Sequence, residues 1–345
     1  MISTLPRTAR ASVLLGTVTV LLVVLTPPVA DAVVTPRVRW SEAKAVVGAK
    51  VTATVAAGSR PHGSRLVLQR RNLDGWRTVD PVARRTDRGF VLRLPTDQIG
   101  RFSFRVAARR AGEIRSVSTH RDVRVRPAYD PAGRRSDHRF LGDRRFRWDS
   151  CQPVRWAFNP AHAPRRALRL VRDTIRLAGQ ATGLTFDFVG RTARTPTLAS
   201  HHRRFDIVVG WRTPRSFAYF RQHPGRVGIG GASWRSGFEE ADGTRVRKAR
   251  SGRLILNARY IGDLGRGYGR GYTWGDVLLH EFGHVLGLGH AGTRHQHMFP
   301  QMTKRRAHWG AGDLAGLRRL GSGRGCLERT HVRKHGRSTS ALSAP

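Results

Sequence analysis

Cysteine and acidic residues are scarce in this chain of 345 residues. The chain has two cysteines, Cys151 and Cys326, and neither lies near the N-terminus, which excludes a lipid anchor attached to a cysteine there. The N-terminal region has no twin-arginine pair, which excludes a twin-arginine export signal. No internal repeat is evident along the chain, so a repeat architecture is not expected.

The shortage of acidic residues leaves a large positive charge. The chain has 63 Lys and Arg residues against 23 Asp and Glu residues, a net charge of +40. Such an excess favours polyanions as partners, although it is almost all arginine and spread along the chain, as mutational bias also produces. The GRGYGRG segment at 265–271 is similar to RGG segments of RNA-binding proteins, but a flexible loop is the favoured interpretation. We expect electrostatic association with anionic cell-envelope polymers and no specific nucleic-acid partner.

The first 32 residues have the pattern of a secretory signal peptide. Arg7 and Arg10 precede an uncharged run over 11–30, and Ala30-Asp31-Ala32 has small residues at a cleavage site. Cleavage after Ala32 predicts a secreted protein without a membrane span. The alternative is an uncleaved anchor, because about 20 uncharged residues are nearly enough to cross a bilayer.

Residues 280–290 read HEFGHVLGLGH and are the most informative part of the chain. His280 and His284 are four residues apart, so a helix places both imidazoles on one face, where they can bind one zinc ion. Gly287 is predicted to end the helix with a left-handed backbone, after which the chain can bring in His290 as a third ligand. Three protein ligands leave a coordination position open, which is typical of a catalytic zinc site.

Glu281 follows the first ligand and is predicted to lie beside the metal. There its carboxylate can take a proton from the attacking water, as a general base does. The alternative is an ordinary amphipathic helix in which these residues serve packing and solubility. The eleven-residue pattern fixes five positions, which favours the catalytic interpretation and one catalytic Zn²⁺ as cofactor.

The residues after the motif extend it. Met298 follows the third histidine in the sequence HMFP, and GDLAGLRRLG occupies 312–321. With the 280–290 motif, these segments resemble the matrixin branch of the metzincin zinc metalloproteases. The resemblance implies that Met298 lies in a turn beneath the zinc and supports the histidines without taking part in catalysis.

The order of predicted elements is also similar to a matrixin catalytic domain, over residues 148–328. The resemblance implies an α+β zincin (metzincin) fold, a mixed twisted sheet with long helices. The hydrophobic patterns predict a helix over 167–178 and strands at 154–158, 184–188, 206–209 and 254–257. The run 227–232 is predicted either as the edge strand along which extended substrate binds or as an irregular loop.

The resemblance is incomplete at three positions. Gly289, Ala291 and Phe299 stand where many matrixins have Asp, Ser and Tyr, which weakens any subfamily assignment. A structural Ca²⁺ or a second Zn²⁺, which matrixins often carry, has no support, because no histidine spacing reproduces those sites. Six other histidines are therefore predicted to lie on the surface: His201, His202, His223, His295, His297 and His308. The prediction is weakest for His201 and His202.

Residues 33–126 alternate between apolar and polar side chains in short runs, as all-β domains do. Strands are predicted at 51–55, 65–70, 89–94 and 102–106. The pattern resembles the immunoglobulin-like β-sandwich modules of bacterial surface proteins. A spacer or binding module is the favoured role, with an occluding pro-domain as the alternative. The Pro- and Gly-containing segment 127–147 is predicted to be an exposed linker, and 329–345 a disordered tail.

Cys151 and Cys326 lie at the two ends of the predicted catalytic domain. In an exported protein the two are expected to form a disulfide. The alternatives are two free buried thiols, or one cysteine that acts as a fourth zinc ligand in a latent form.

The sequence therefore predicts a secreted zinc-dependent endopeptidase that acts on peptides or proteins. The alternatives are an envelope-associated polyanion-binding protein with a vestigial metal site and a zinc hydrolase that does not cleave peptides. The complete set of ligands and the intact base count against a vestigial site. The sequence leaves open the cleavage preference, the activation mechanism, the ligand of the N-terminal module and the oligomeric state.

Overall fold

The computed structural model describes residues 34–330, except 74, 80–82, 143–144 and 197–202. The predicted signal peptide, and the predicted tail beyond residue 330, lie outside the described residues. Within the described part of the chain, no helix is both long enough and apolar enough to cross a membrane.

Residues 34–126 form an all-β unit. Its strands are β1 (Val38–Trp40), β2 (Lys44–Val46), β3 (Val51–Ala56), β4 (Arg65–Asn72), β5 (Gly75–Val79), β6 (Arg84–Thr86), β7 (Gly89–Leu94), β8 (Gly100–Arg110), β9 (Glu113–Val117) and β10 (Arg121–Arg126). One sheet has the order β1-β3-β7-β6, and the other has the order β2-β10-β8-β4-β5 with β9 paired to β8. The four strands predicted in this region occur as β3, β4, β7 and β8.

The two sheets of this unit share one hydrophobic core. Val51 and Val55 of β3 in one sheet pack in the same cluster as Phe104 and Val106 of β8 in the other, and all four are fully buried. Alternate residues of each strand point inward, because successive side chains of a strand face opposite sides. The immunoglobulin-like assignment and the role of the unit stay predictions.

The second part of the chain is built on a mixed sheet. Its strands and the short strands beside it are β11 (Arg139–Phe140), β12 (Phe146–Arg147), β13 (Val154–Asn159), β14 (Phe186–Arg191), β15 (Ile207–Arg212), β16 (Gly228–Glu239), β17 (Arg245–Asn257), β18 (Leu288–Gly289) and β19 (Glu328–Arg329). Strands β14, β13, β15 and β17 are parallel and adjacent in that order, and β16 pairs antiparallel with β17. The sheet thus has one antiparallel strand next to a parallel set.

Helices cover this sheet: α1 (Ala167–Thr182), α2 (Ala218–Gln222), α3 (Trp274–Leu286) and α4 (Ala311–Leu320). Helix α1 connects the parallel strands β13 and β14, and its buried residues Val171 and Ile175 lie in one core cluster with Leu278 and Phe282 of α3. Residue positions four apart share a helix face, which is why the predicted apolar spacing over 167–178 gives this buried side. The mixed sheet and the α+β character agree with the predicted fold class.

Two predicted strands start elsewhere. Gly183 ends α1 with φ 72°, and the Leu184 N–H donates to Thr182 Oγ1, so β14 begins at Phe186, two residues late. Strand β17 begins at Arg245 and not at residue 254, because it pairs with β16 along nearly the whole length of both strands. Cross-strand pairing, which local patterns do not contain, sets the start of β17.

The segment 127–147 packs in part against the mixed-sheet part of the chain, whereas its residues 133–136 and 139 are exposed. Strand β11 pairs antiparallel with β18, and β12 pairs with β17. Phe146 and Arg147 are 1% and 0% exposed, and the Asp137 carboxylate accepts the Gly292 N–H at 2.8 Å. The polar composition of the segment suggested exposure, but its polar groups have partners far along the chain.

A buried ion pair fixes the end of this segment. Glu240, 2% exposed, accepts hydrogen bonds from the guanidinium groups of Arg145 and Arg147, each at 2.8 Å. Arg147 also donates to the carbonyl oxygen of Gly325 at 2.9 Å. Buried charges need such partners, since an unpaired one costs several kcal/mol. These contacts join the mixed sheet to the segment next to Cys326.

Cys151 and Cys326 form the predicted disulfide, with Cα atoms 5.2 Å apart and a sequence separation of 175. Replacing both residues with alanine is expected to lower the free energy of unfolding by about 2–5 kcal/mol, since the bond closes a long loop in the unfolded chain. Chemical denaturation measures the change. Reductant should bring the wild-type protein to the level of the double variant and leave the variant unchanged. Equal stability of the oxidised wild type and the variant would contradict the prediction.

Candidate metal centre

Helix α3 carries the motif and is fixed at both ends. At its start, Thr273 Oγ1 accepts the N–H of Asp276 at 3.2 Å and so caps the helix. At its end, Gly287 has φ 112° and ψ 5°, a backbone conformation that favours glycine. A Cβ at Gly287 would also lie 2.8 Å from the carbonyl oxygen of Phe146. The chain therefore turns sharply after Gly287, as predicted.

The turn brings three histidines together. His280 and His284 lie one helical turn apart on α3, and the short strand β18 leads from the helix to His290. The ligand nitrogens of the three side chains all lie within 4.8 Å of one another. Of the His, Cys, Asp and Glu side chains in the described residues, these three histidines lie close enough together to hold a metal ion. The ligand set predicted from sequence is thus one cluster in space.

Backbone carbonyls orient two of the rings. His280 Nδ1 donates to the carbonyl oxygen of His297 at 3.0 Å, and His284 Nδ1 donates to that of Leu288 at 2.8 Å. A carbonyl oxygen can only accept, so Nδ1 carries the proton in both rings. Nε2 is then left with a free lone pair for a metal, the usual arrangement behind metal-binding histidines.

Burial keeps these imidazoles neutral. It lowers the pKa of His284 to about 4 and that of the more exposed His290 by less. The pKa of His280 lies well below its usual value because of burial and, secondarily, the neighbouring His284. The neutral imidazole is the form that binds a metal ion.

Glu281 is a residue of α3, and its side chain contacts strand β16. Its Oε2 accepts the Gly230 N–H at 2.6 Å, and burial raises the pKa of the carboxyl group to about 7. A Cβ at Gly230 would overlap the backbone of Glu281, and one at Gly228 would lie 2.9 Å from Glu281 Cγ. Both glycines lie in the run 227–232, one predicted form of which was an edge strand for the substrate. In the structure they admit the helix that carries Glu281.

The turn after the third histidine supports the cluster. Met298 is 1% exposed, and a Cβ at Gly283 would overlap its sulfur atom. Gly283, one of the unspecified positions of the motif, is thus small because Met298 packs against it. The Ala291 N–H donates to the Met298 carbonyl oxygen at 2.8 Å, which ties the third-ligand segment to the turn.

Sequence analysis missed the role of Asp313. Its carboxylate, in the first turn of α4 and 0% exposed, accepts the N–H groups of His297 (2.5 Å), Met298 (3.3 Å) and Gly310 (2.8 Å). His297 in turn accepts the hydrogen bond of His280, so Asp313 positions a ligand through the turn. The sequence shows an acidic residue in the segment 312–321, but not its distant N–H donors.

The Asp313→Asn variant is expected to bind zinc about 10- to 100-fold more weakly than the wild-type protein. The amide NH₂ group cannot accept, so one or more N–H groups of the turn lose their partner. Competition titration against a chromogenic chelator measures the affinity. The exposed Asp187→Asn serves as a matched control and should leave it unchanged. Unaltered zinc affinity in Asp313→Asn would show that the turn is held without this carboxylate.

His297 corrects one expectation, because it is not a surface residue. Its side chain is 5% exposed, and its Nε2 donates to the carbonyl oxygen of Asp276 at 2.9 Å. Two of the other predicted surface histidines are exposed, namely His223 and His295. The half-buried His308 stacks on Tyr129. Two more lie outside the described residues, namely His201 and His202.

The histidines and Glu281 line a cavity of about 460 Å³. Its walls are residues 225–230, which include the start of β16, and residues 300–303, which follow the methionine turn. The run 227–232 therefore belongs to a strand from Gly228 onward, and the alternative of an irregular loop is wrong. On the side away from β17, β16 has no described partner strand before Phe238, where β19 pairs with it.

Three imidazoles therefore converge in a cavity that a carboxylate also lines, next to a strand edge without a described partner strand. The family model described as Matrixin matches residues 129–320, more than half of the chain. The chain belongs to the matrixin family, and this membership implies zinc metalloprotease activity. The match begins within the segment that the sequence assigned to a linker, in agreement with its packing. None of the curated proteins compared with the chain matches it.

Proposed function

We propose that this matrixin is a secreted zinc endopeptidase in which Glu281 is the general base. The observation that carries the proposal is the convergence of His280, His284 and His290 within 4.8 Å in the cavity that Glu281 lines. Export is supported by the disulfide between Cys151 and Cys326, because such bonds persist in oxidising compartments.

The donor set fits zinc. It consists of three imidazole nitrogens, and the Nδ1 protons of His280 and His284 are engaged by carbonyl oxygens. Imidazole ligands suit zinc, whereas magnesium and calcium take oxygen ligands, and three protein ligands are typical of catalytic zinc. When bound, zinc supplies the Lewis acidity that activates the attacking water and the scissile carbonyl.

Glu281 moves the proton in the proposed reaction. The Gly230 N–H holds Oε2, which leaves Oε1 to accept a proton from the attacking water. The buried carboxyl group then returns this proton to the leaving amine as the peptide bond breaks. Its burial favours the protonated form between the two transfers.

The substrate is proposed to bind as an extended strand along β16. The outer edge of this strand, from Gly228 to Trp234, has no described partner strand, and the Gly230 N–H on it is bonded to Glu281. Addition of a strand supplies main-chain hydrogen bonds that do not depend on sequence, while side chains enter adjacent pockets. Electrostatic retention at anionic envelope polymers, suggested by the charge of +40, would be released by salt.

The test begins with the metal content of the purified protein and continues with fluorogenic peptides in the presence and absence of a chelator. About one zinc per chain, cleavage within peptides, and loss of cleavage with chelator that added zinc restores are the expected results. A metal-free sample that cleaves no peptide would support the vestigial-site alternative instead. A zinc-loaded sample that cleaves other substrates and no peptide would indicate a different hydrolase.

A further inference from the structure

A buried carboxyl group with one oxygen that accepts no hydrogen bond lies in the cavity beside the histidines. The side chain of Asp276 is 9% exposed, and its Oδ2 accepts no hydrogen bond from the described residues. Asp276 precedes His280 by four residues on α3, so the two lie on one face of the helix, about 6 Å apart along its axis. Both line the cavity of about 460 Å³.

The neighbouring groups do not neutralise this carboxyl group. His297 donates its Nε2–H to the Asp276 backbone carbonyl, and the same nitrogen lies 3.6 Å from Oδ1. Burial, which no neighbouring cation offsets, raises the pKa of the Asp276 carboxyl group to about 7. Arg226, the guanidinium group that lines the cavity, is exposed.

The position of Asp276 in its helix does not account for its side chain. An acidic residue at the third helical position often accepts the N–H of the cap residue and favours the helix dipole. Here the Asp276 backbone N–H donates to Thr273 Oγ1, but the carboxylate makes no return bond to Thr273. The other carboxylate that lines the cavity, Glu281, is held by Gly230. Asp276 Oδ2 is therefore an acceptor that an incoming group can use.

We propose that Asp276 determines specificity, and that the cavity accepts a lysine or arginine side chain of the substrate residue next to the scissile bond. The inference rests on the proposed peptidase function and adds the class of residue that the site selects. A long cationic side chain can span the helical turn between the histidines and Asp276 with its apolar stem and place its charge at the carboxylate. The net charge of +40 disfavours cationic peptides elsewhere on the protein, so such a preference must be local.

The test uses peptides of one sequence that differ at a single position flanking the cleaved bond, with Lys, Arg, norleucine or Glu there. Norleucine matches the length of the lysine stem without its charge. The wild-type enzyme is expected to cleave the Lys or Arg peptide with a kcat/KM at least about tenfold above that of the norleucine peptide. In Asp276→Asn the ratio of these two kcat/KM values should fall to about one or below, mainly because KM for the Lys or Arg peptide rises. The exposed Asp263→Asn removes the same charge and should keep the wild-type ratio.

Binding provides a second readout that does not need turnover. Zinc-loaded Glu281→Ala should bind the Lys peptide more tightly than the norleucine peptide in calorimetry, and the added Asp276→Asn substitution should remove the difference. Cleavage or binding without a cationic preference in the wild-type protein would overturn the role of Asp276 and leave the peptidase assignment intact. Absence of both cleavage and peptide binding would overturn the two together.

Discussion

The Glu281→Ala variant is expected to lose peptide hydrolysis by about 10²- to 10⁴-fold in kcat/KM while it retains zinc. Glu281 makes no hydrogen bond to the three histidines, whose rings are oriented by the carbonyl oxygens of His297 and Leu288. Removal of the carboxylate therefore takes away the proton acceptor without disturbing the ligands. Steady-state kinetics with a fluorogenic peptide and zinc content by mass spectrometry measure the two properties.

Glu281→Gln separates proton transfer from packing. Its amide oxygen can keep the hydrogen bond from the Gly230 N–H, but it cannot act as a base, so the loss should resemble that of Glu281→Ala. The exposed Glu113→Ala, in the N-terminal unit, is the matched control and should keep wild-type kinetics. Full activity in either Glu281 variant would refute the assignment of the base.

The His284→Ala variant is expected to lose both bound zinc and detectable activity. His284 supplies one of three ligand nitrogens, is 9% exposed and donates to Leu288, so no neighbouring side chain of the cluster can replace it. In equilibrium dialysis at fixed free zinc, the bound zinc should fall from about one ion per chain in the wild type to near zero in the variant.

Thermal unfolding adds an independent measure of the same site. Because a metal that binds the folded state raises the unfolding temperature by mass action, zinc should stabilise the wild-type protein and leave His284→Ala unaffected. The exposed His295→Ala is the control and should respond to zinc as the wild type does. Zinc-dependent stabilisation in His284→Ala would place the metal elsewhere.

The clustering of the three histidines was predictable because local backbone geometry relates them. The separation of four residues between His280 and His284 places both on one helix face, and Gly287 has the backbone conformation that its position suggested. The alternation of apolar residues likewise predicted strands β3 and β13, and in β3 burial follows a period of two. Errors arose where partners are distant, as in 127–147, whose polar composition hid two buried strand residues.

The sequence by itself determined the chemistry of this protein: three imidazoles and one carboxylate in a pattern that local backbone geometry converts into a metal site. Tertiary structure alone decided how that site is held and what it can select. The contacts of Gly230 with Glu281 and of Asp313 with the methionine turn join segments distant in sequence. The solitary carboxyl group of Asp276 is likewise defined by the side chains folded around it. Such contacts depend on which segments meet in space, and no short-range periodicity records that.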